Sequence, residues 1–292
     1  MARVLPGREH DVAIVAVTLT SLSPARLIAW ANAIEQLKHG PTVQSVRRLS
    51  SRPRADEFST LNLPPDDLQD LRRCGPGACG VKLSANEMGQ IRDEIRVAGA
   101  DWAARANAVF RDIARDRILA YLAGGLAALA PYADGRSEPA RAPAFEKLIE
   151  HSPFLRHLPA LLARLGPPAA GLGDGDFTYW SVEQFGAKNV VTATHTIITT
   201  SDDPARPAVL VAGKQIFATH YAVASLNVTA LVRRPGGAGA PYYLVVVNRT
   251  SVDDIEGLLG GFVRHSVESR MRRDTPGLVA ALRERMESGP PR

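Results

Sequence analysis

Apolar and polar positions set out three stretches of different period along the chain. In residues 11–64 the run 12–17, Val-Ala-Ile-Val-Ala-Val, reads as a strand dominated by valine and isoleucine. Ser23-Pro24 then opens a helix, with serine as N-cap and proline at the first helical position. Leu27, Trp30, Ala31, Ile34 and Leu37 fall on one face of it, Gly40-Pro41 stops it, and residues 42–49 read as a second strand. Residues 65–176 change to helical spacing interrupted by proline and glycine. Ser84-Ala85-Asn86-Glu87 fits a capping box, in which serine accepts from the amide three residues on and glutamate reaches back. Behind it Ile91, Ile95, Ala98, Trp102, Val109, Phe110 and Ile113 keep a stripe that reads as core packing rather than a cofactor site. Shorter helices over 144–150 and 153–165 lead to a loop, 166–176, rich in glycine and proline.

From residue 177 the period drops to two. Runs over 179–185, 189–200, 208–211, 215–233 and 242–248 are rich in β-branched and aromatic residues and are divided by Gly186, Asp202-Asp203-Pro204, Gly213 and Pro235-Gly236-Gly237. They predict an antiparallel sheet. The run 214–233 is too long for one straight strand, so a bulge or strong bend is expected inside it. Residues 253–273 predict an amphipathic helix, with Ile255, Leu258, Leu259, Phe262, Val263 and Val267 on one side. Thr275-Pro276 predicts the start of a further helical segment ending near Ser288. No internal repeat is found.

Composition narrows the class. The 292 residues are 45% hydrophobic and 22% charged, which excludes a disordered, collagen-like or coiled-coil chain. No apolar run approaches the roughly 18 to 20 residues needed to cross a bilayer; residues 118–129 are short and broken by Gly124-Gly125. A soluble protein is expected, with peripheral membrane contact left open. The formal charge of +5 raises the question of nucleic acid, yet only five of the 35 basic residues are lysines and acidic residues lie among the arginines. Arginine in place of lysine, with abundant alanine, glycine and proline, reflects a G+C-rich genome. No helix-turn-helix, zinc-finger or RNA-binding aromatic signature accompanies it, so no nucleic-acid partner is expected. The apolar stretch 12–19 is too short and polar for a secretory signal; this places the chain in the cytoplasm unless Met1 heads the mature form of an exported protein.

Chemical motifs are sparse. Cys74 and Cys79 enclose Gly-Pro-Gly-Ala, a turn that brings two sulfurs within reach, and a local disulfide is favoured over two free thiols or a metal site. There is no Gly-x-Ser-x-Gly elbow, phosphate-binding glycine loop, or His-Glu-x-x-His. Gly257, Gly260 and Gly261 follow no strand and suggest close helix packing. Neither a cofactor nor a metal is expected.

The strand of residues 12–20 leading into Ser23-Pro24-Ala25-Arg26-Leu27-Ile28-Ala29-Trp30, the late strand Tyr243-Leu244-Val245-Val246-Val247-Asn248-Arg249 and the helix after it resemble the START, polyketide-cyclase and birch-pollen-allergen superfamily. Cys74 to Lys82, Tyr179-Trp180-Ser181 and Lys214 to Leu226 also resemble stretches of uncharacterised bacterial proteins, many of them exported. The first resemblance implies an α+β helix-grip fold: one domain over 1–292, with an antiparallel sheet around a long C-terminal helix built from 11–64 and 177–292, and a helical insertion over 65–176. It further implies an apolar cavity between sheet and C-terminal helix. The even-numbered residues Ile216, Ala218, His220, Ala222, Ala224, Leu226, Val228 and Ala230 suit its wall, small and apolar with one polar interruption.

The residues expected to touch a ligand there are Trp180, His195, His220, Tyr221 and Arg249. His195 shares a strand face with Val191, Ala193 and Ile197, so pairing of the two strands would bring both imidazoles together. With a carboxylate such as Glu183 they would hold a metal or act as general acid and base. Tyr221 lies on the other face unless a bulge turns it, and Arg249 suits an anionic head group or an ion pair with Asp253 or Asp254. Three functions follow as expectations: binding or transport of an apolar small molecule such as a lipid, sterol or polyketide; an enzyme (cyclase, hydrolase or isomerase) using His195 and His220; and a protein-interaction module formed by the insertion.

Overall fold

The structure, a computed structural model, describes residues 1–5, 11–135, 139–166, 172–186, 188–236, 242–252 and 260–291, without the side chains at 260–267, 270 and 271. Among the described residues there are eight strands: β1 (Ala2–Leu5), β2 (Asp11–Thr20), β3 (Val43–Arg48), β4 (Phe177–Phe185), β5 (Lys188–Thr200), β6 (Val209–Ala218), β7 (Ala222–Arg233) and β8 (Tyr242–Val252). They form one antiparallel sheet in the order β1-β2-β8-β7-β6-β5-β4-β3. β2 and β8 pair without interruption from Asp11 opposite Ser251 to Thr20 opposite Tyr242, so the two ends of the chain complete a single sheet.

The helices are α1 (Pro24–Asn32), α2 (Ile34–Leu37), α3 (Pro65–Leu71), α4 (Ala85–Val97), α5 (Trp102–Gly124), α6 (Arg141–Glu150), α7 (Pro159–Arg164) and α8 (Gly260–Ser288). Their starts follow the local chemistry of the sequence. Ser23 caps α1 through the Arg26 amide, with Pro24 at the first position. Ser84 and Glu87 form the capping box of α4, the Glu87 carboxylate accepting from the Ser84 amide at 2.7 Å. The architecture is therefore α+β, with an open antiparallel sheet and a C-terminal helix.

Neighbouring residues on the strands enter two separate cores, one on each face. Trp180, Ile197, Leu210 and Ala230 lie in the first, with Phe110, Tyr121, Phe145 and Leu148 of the insertion. Phe177, Ile198, Val209 and Leu231 lie in the second, with Leu27, Trp30 and Ile34 of α1 and α2 and Leu282 and Met286 of α8. Each large apolar side chain removed from water contributes about 2 kcal/mol, so the insertion is bound into the fold across the face that β4 to β8 present. This corrects the expected position of the C-terminal helix. The alanine-rich face of β6 and β7 looks toward the insertion, whereas the described side chains of α8 pack on the opposite face. α8 also runs against β1 and β2, and Glu287 accepts from Thr20 Oγ1 and the Ser21 amide at 2.8 Å each.

The run 214–233 is interrupted, as its length requires: Thr219, His220 and Tyr221 form a tight turn between β6 and β7, and the register of β7 against β8 shifts between Ala222 and Ala224. The turn lacks glycine and proline, and Tyr221 takes the left-handed conformation instead, with φ of 62°. Bonds from other parts of the chain hold it: Val191 N donates to Thr219 Oγ1 and Thr219 N to Val191 O, both at 2.9 Å. Thr275-Pro276 starts no new helix, because α8 continues through Pro276. The proline lies on an exposed stretch, where the carbonyl that loses its partner is free to bind water. β1 was not expected at all; its four residues pair with β2 on the strength of a sheet edge supplied from elsewhere. The expected helical start at 253–259 lies outside the described residues.

Candidate functional site

His195 and Lys214 face each other across β5 and β6, and both side chains point into the core beneath the insertion. Strand parity puts them there, since His195 alternates in phase with Ala193 and Ile197, and Lys214 with Leu210 and Ala212. Tyr121, on the buried side of α5, donates or accepts at His195 Nδ1 at 2.8 Å. On the other side of the ring His195 Nε2 meets Asp176 Oδ2 at 3.3 Å, just ahead of β4. Ionised Asp176 only accepts, so Nε2 carries the proton and Nδ1 accepts from the Tyr121 hydroxyl. Asp176 is itself held by the Arg164 guanidinium and by the Ile198 amide at 3.3 Å, and Arg164 also donates to the Ile198 carbonyl at 2.7 Å. Tyr, His and Asp thus form a continuous buried chain from α5 to the start of β4.

Lys214 lies beside this chain. Its Nζ donates to the carbonyls of Leu165 and Gly166 at 2.6 and 3.3 Å, just past α7, and sits 4.7 and 5.5 Å from the ring centres of Phe145 and Tyr121. No carboxylate lies within ion-pair distance of it among the described residues. Only 3% of Lys214 is exposed, and burial pushes its pKa down to about 8. Tyr121 is shifted up, chiefly by burial and then by the charge of Asp176, so it remains a protonated phenol at neutral pH.

His220 does not join His195. Counted along the ladder it lies four to five residues beyond, on the order of 15 Å away. Its Nε2 meets the fully buried Asp67 of α3 at 2.8 Å, and Lys188 approaches Asp67 and Asp70 at 3.7 Å each. The expected pairing of the histidines is therefore overturned, because each imidazole has its own carboxylate. Glu183 has the parity of Tyr179 and points to the opposite face from His195; it is held there by Ser181 Oγ and by Lys38 at 2.9 Å.

The other expected residues also take separate places. Trp180 is wholly buried and donates through Nε1 to the Glu57 carbonyl at 3.0 Å, an anchor between the sheet and the segment that follows β3. Tyr221 is in the turn after His220, partly exposed against Phe185. Arg249 pairs with Asp11 at 2.7 Å, and His151 meets the same carboxylate oxygen at 2.8 Å; Asp253 and Asp254 lie outside the described residues. Cys74 and Cys79 are joined in a disulfide, with Cα atoms 4.4 Å apart.

Sequence reasoning missed Lys214, Tyr121, Asp176 and Asp67. Lys214 carried a usable signal, a charge at an inward position among Leu210, Ala212 and Ile216. The other three had none, since their partners come from distant segments. A surface depression of about 620 Å³ lies between α2 and the chain end, lined by Trp30, Glu35, His39 and Arg285 among others. It is the seam where the C-terminus docks, with Trp30 donating to the Gly289 carbonyl and Arg285 to the Leu37 carbonyl. Among the described residues no group of three or more His, Cys, Asp or Glu side chains is placed to hold a metal ion, and no helix is long and apolar enough to cross a membrane. The chain matches no protein-family model, no curated protein and no solved structure.

Proposed function

We propose that the protein binds an apolar small molecule with one polar end, held between the sheet and the insertion helices, with Lys214 and His195 as its polar contacts. The observation that carries this reading is the buried ammonium of Lys214. An unpaired buried charge is strongly unfavourable, and two carbonyl acceptors leave one of its three N–H donors for a ligand. The small side chains of Ala193, Ala212 and Ala224 on the same face, against apolar helices, suit an apolar body. This keeps the helix-grip expectation of a ligand against an antiparallel sheet, with the insertion in the position expected of the C-terminal helix.

Solvent extraction of the purified protein followed by mass spectrometry tests the reading, together with thermal melts across a panel of fatty acids, fatty alcohols and sterols. An apolar molecule recovered from the wild type, and a raised Tm that Lys214→Met diminishes, are the expected results. Recovery of none, with no Tm change across the panel, refutes it. One observation favours a second reading, an interaction or scaffold module in which the insertion fills this space: Phe110 is fully buried in the same core. That reading predicts a silent ligand panel and a partner protein whose binding is lost on substitution of the exposed face of α5.

A further inference from the structure

Lys214 differs from Lys38, Lys82 and Lys188 in its surroundings. Lys38 faces Glu183, Lys82 faces Asp134, and Lys188 faces Asp67 and Asp70. Lys214 instead has two main-chain carbonyls, two aromatic rings and, across the strand pair, His195. Apolar walls around an amine favour its neutral, nucleophilic form and exclude the water that would hydrolyse a carbon–nitrogen double bond. At its side lies the Tyr121 hydroxyl, held in place by a hydrogen-bonded chain through His195 to Asp176.

We infer that Lys214 is a covalent attachment site for apolar aldehydes or ketones, captured by its amine as an imine while Tyr121, positioned by His195 and Asp176, moves the protons. This rests on the function proposed above and narrows its ligand to carbonyl compounds. The lone pair of the neutral amine forms the C–N bond as the carbonyl π pair moves to oxygen. Tyr121 protonates that oxygen and takes back a proton released by the nitrogen. In the second stage the C–O bond breaks and oxygen leaves as water, carrying both amine hydrogens. The chain ends with its own protons restored, and no oxidant or reductant is consumed. Tyr121 is the proton donor; His195 and Asp176 position it. The carbonyls of Leu165 and Gly166, just past α7, hold the amine from one side, and Arg164 at the end of α7 holds Asp176.

The test is reductive trapping of the full chain with hexanal and sodium cyanoborohydride at pH 7.5, read by peptide mass mapping. With five lysines the four others serve as internal controls. A single added hexyl group at Lys214, formed at least about tenfold faster than at any other lysine, is expected. Tyr121→Phe should slow that labelling at least about tenfold, and His195→Gln should change the pH dependence of its rate, which a purely structural role would not do. Labelling spread evenly over the lysines, or absent from Lys214, overturns the inference. Thermal melts with hexanol, which cannot form an imine, separate the two proposals. A Tm increase without trapping at Lys214 leaves the binding site standing and removes the covalent step; neither signal removes both. The wild-type measurement does not depend on any variant folding.

Discussion

Replacing Lys214 by methionine removes the buried ammonium while keeping a flexible side chain of similar length. In the fold the lysine pKa falls from its ordinary 10.5 to about 8, because burial disfavours the charged form. That difference corresponds to about 3 kcal/mol by which the ammonium is less favourable in the folded state than in the unfolded chain. Below pH 8 the side chain is charged in both states and the full penalty applies. Between pH 8 and 10.5 the folded protein has released the proton and the unfolded chain has not, so stability rises with pH. Above 10.5 both forms are neutral and the penalty is gone. Methionine also leaves the Leu165 and Gly166 carbonyls without this donor, at about 1 to 3 kcal/mol, but that loss does not vary with pH. Urea titrations of both proteins from pH 6.5 to 10.5 separate the two effects. Wild-type stability minus that of Lys214→Met should be flat below pH 8 and grow by about 3 kcal/mol between pH 8 and 10.5. A difference that stays constant, or shrinks, over that interval would refute the argument that Lys214 is buried without a compensating charge.

Other consequences are independent of Lys214. Arg117 holds Glu87 through two bonds of 2.7 and 2.6 Å, both partners being largely buried, so Glu87→Gln should lose about 3 to 5 kcal/mol in urea denaturation. Adding Arg117→Met should recover part of that loss, and no recovery would show that the damage lies in the α4 cap. Tyr132 is buried against the guanidiniums of Arg141 and Arg117, with ring contacts of 3.8 and 5.7 Å. Burial raises its pKa, yet the two cations outweigh it and hold it below the ordinary 10.0. Near-ultraviolet pH titration should show one phenol ionising early, and stability from this group should increase as pH rises through its folded pKa toward 10.0; Tyr132→Phe should abolish the early step. Removing the disulfide with Cys74→Ser and Cys79→Ser should lower stability by about 2 kcal/mol, as expected for a short closed loop, with the melting temperature as readout.

The local features were legible because their causes are local. Ser23-Pro24 and Ser84 to Glu87 carry their own capping chemistry, the Cys74 to Cys79 turn joins neighbours five residues apart, and valine-rich alternation marks β2, β5 and β8 wherever they pair. The turn at 219–221 was hidden because tertiary bonds, rather than glycine or proline, impose it. Which layer covers which face was hidden for a different reason. β4 to β8 are apolar on both sides, and the hydrophobic effect is non-directional, so periodicity shows that a face must be covered without showing by what. The charged positions depended most on tertiary structure. Asp11 and Arg249 meet across 238 residues of chain, and Asp67 and His220 across 153. The amino acids establish that such groups cannot stay buried alone. The packing of insertion on sheet determines which partner reaches each of them, and that Lys214 has no carboxylate beside it.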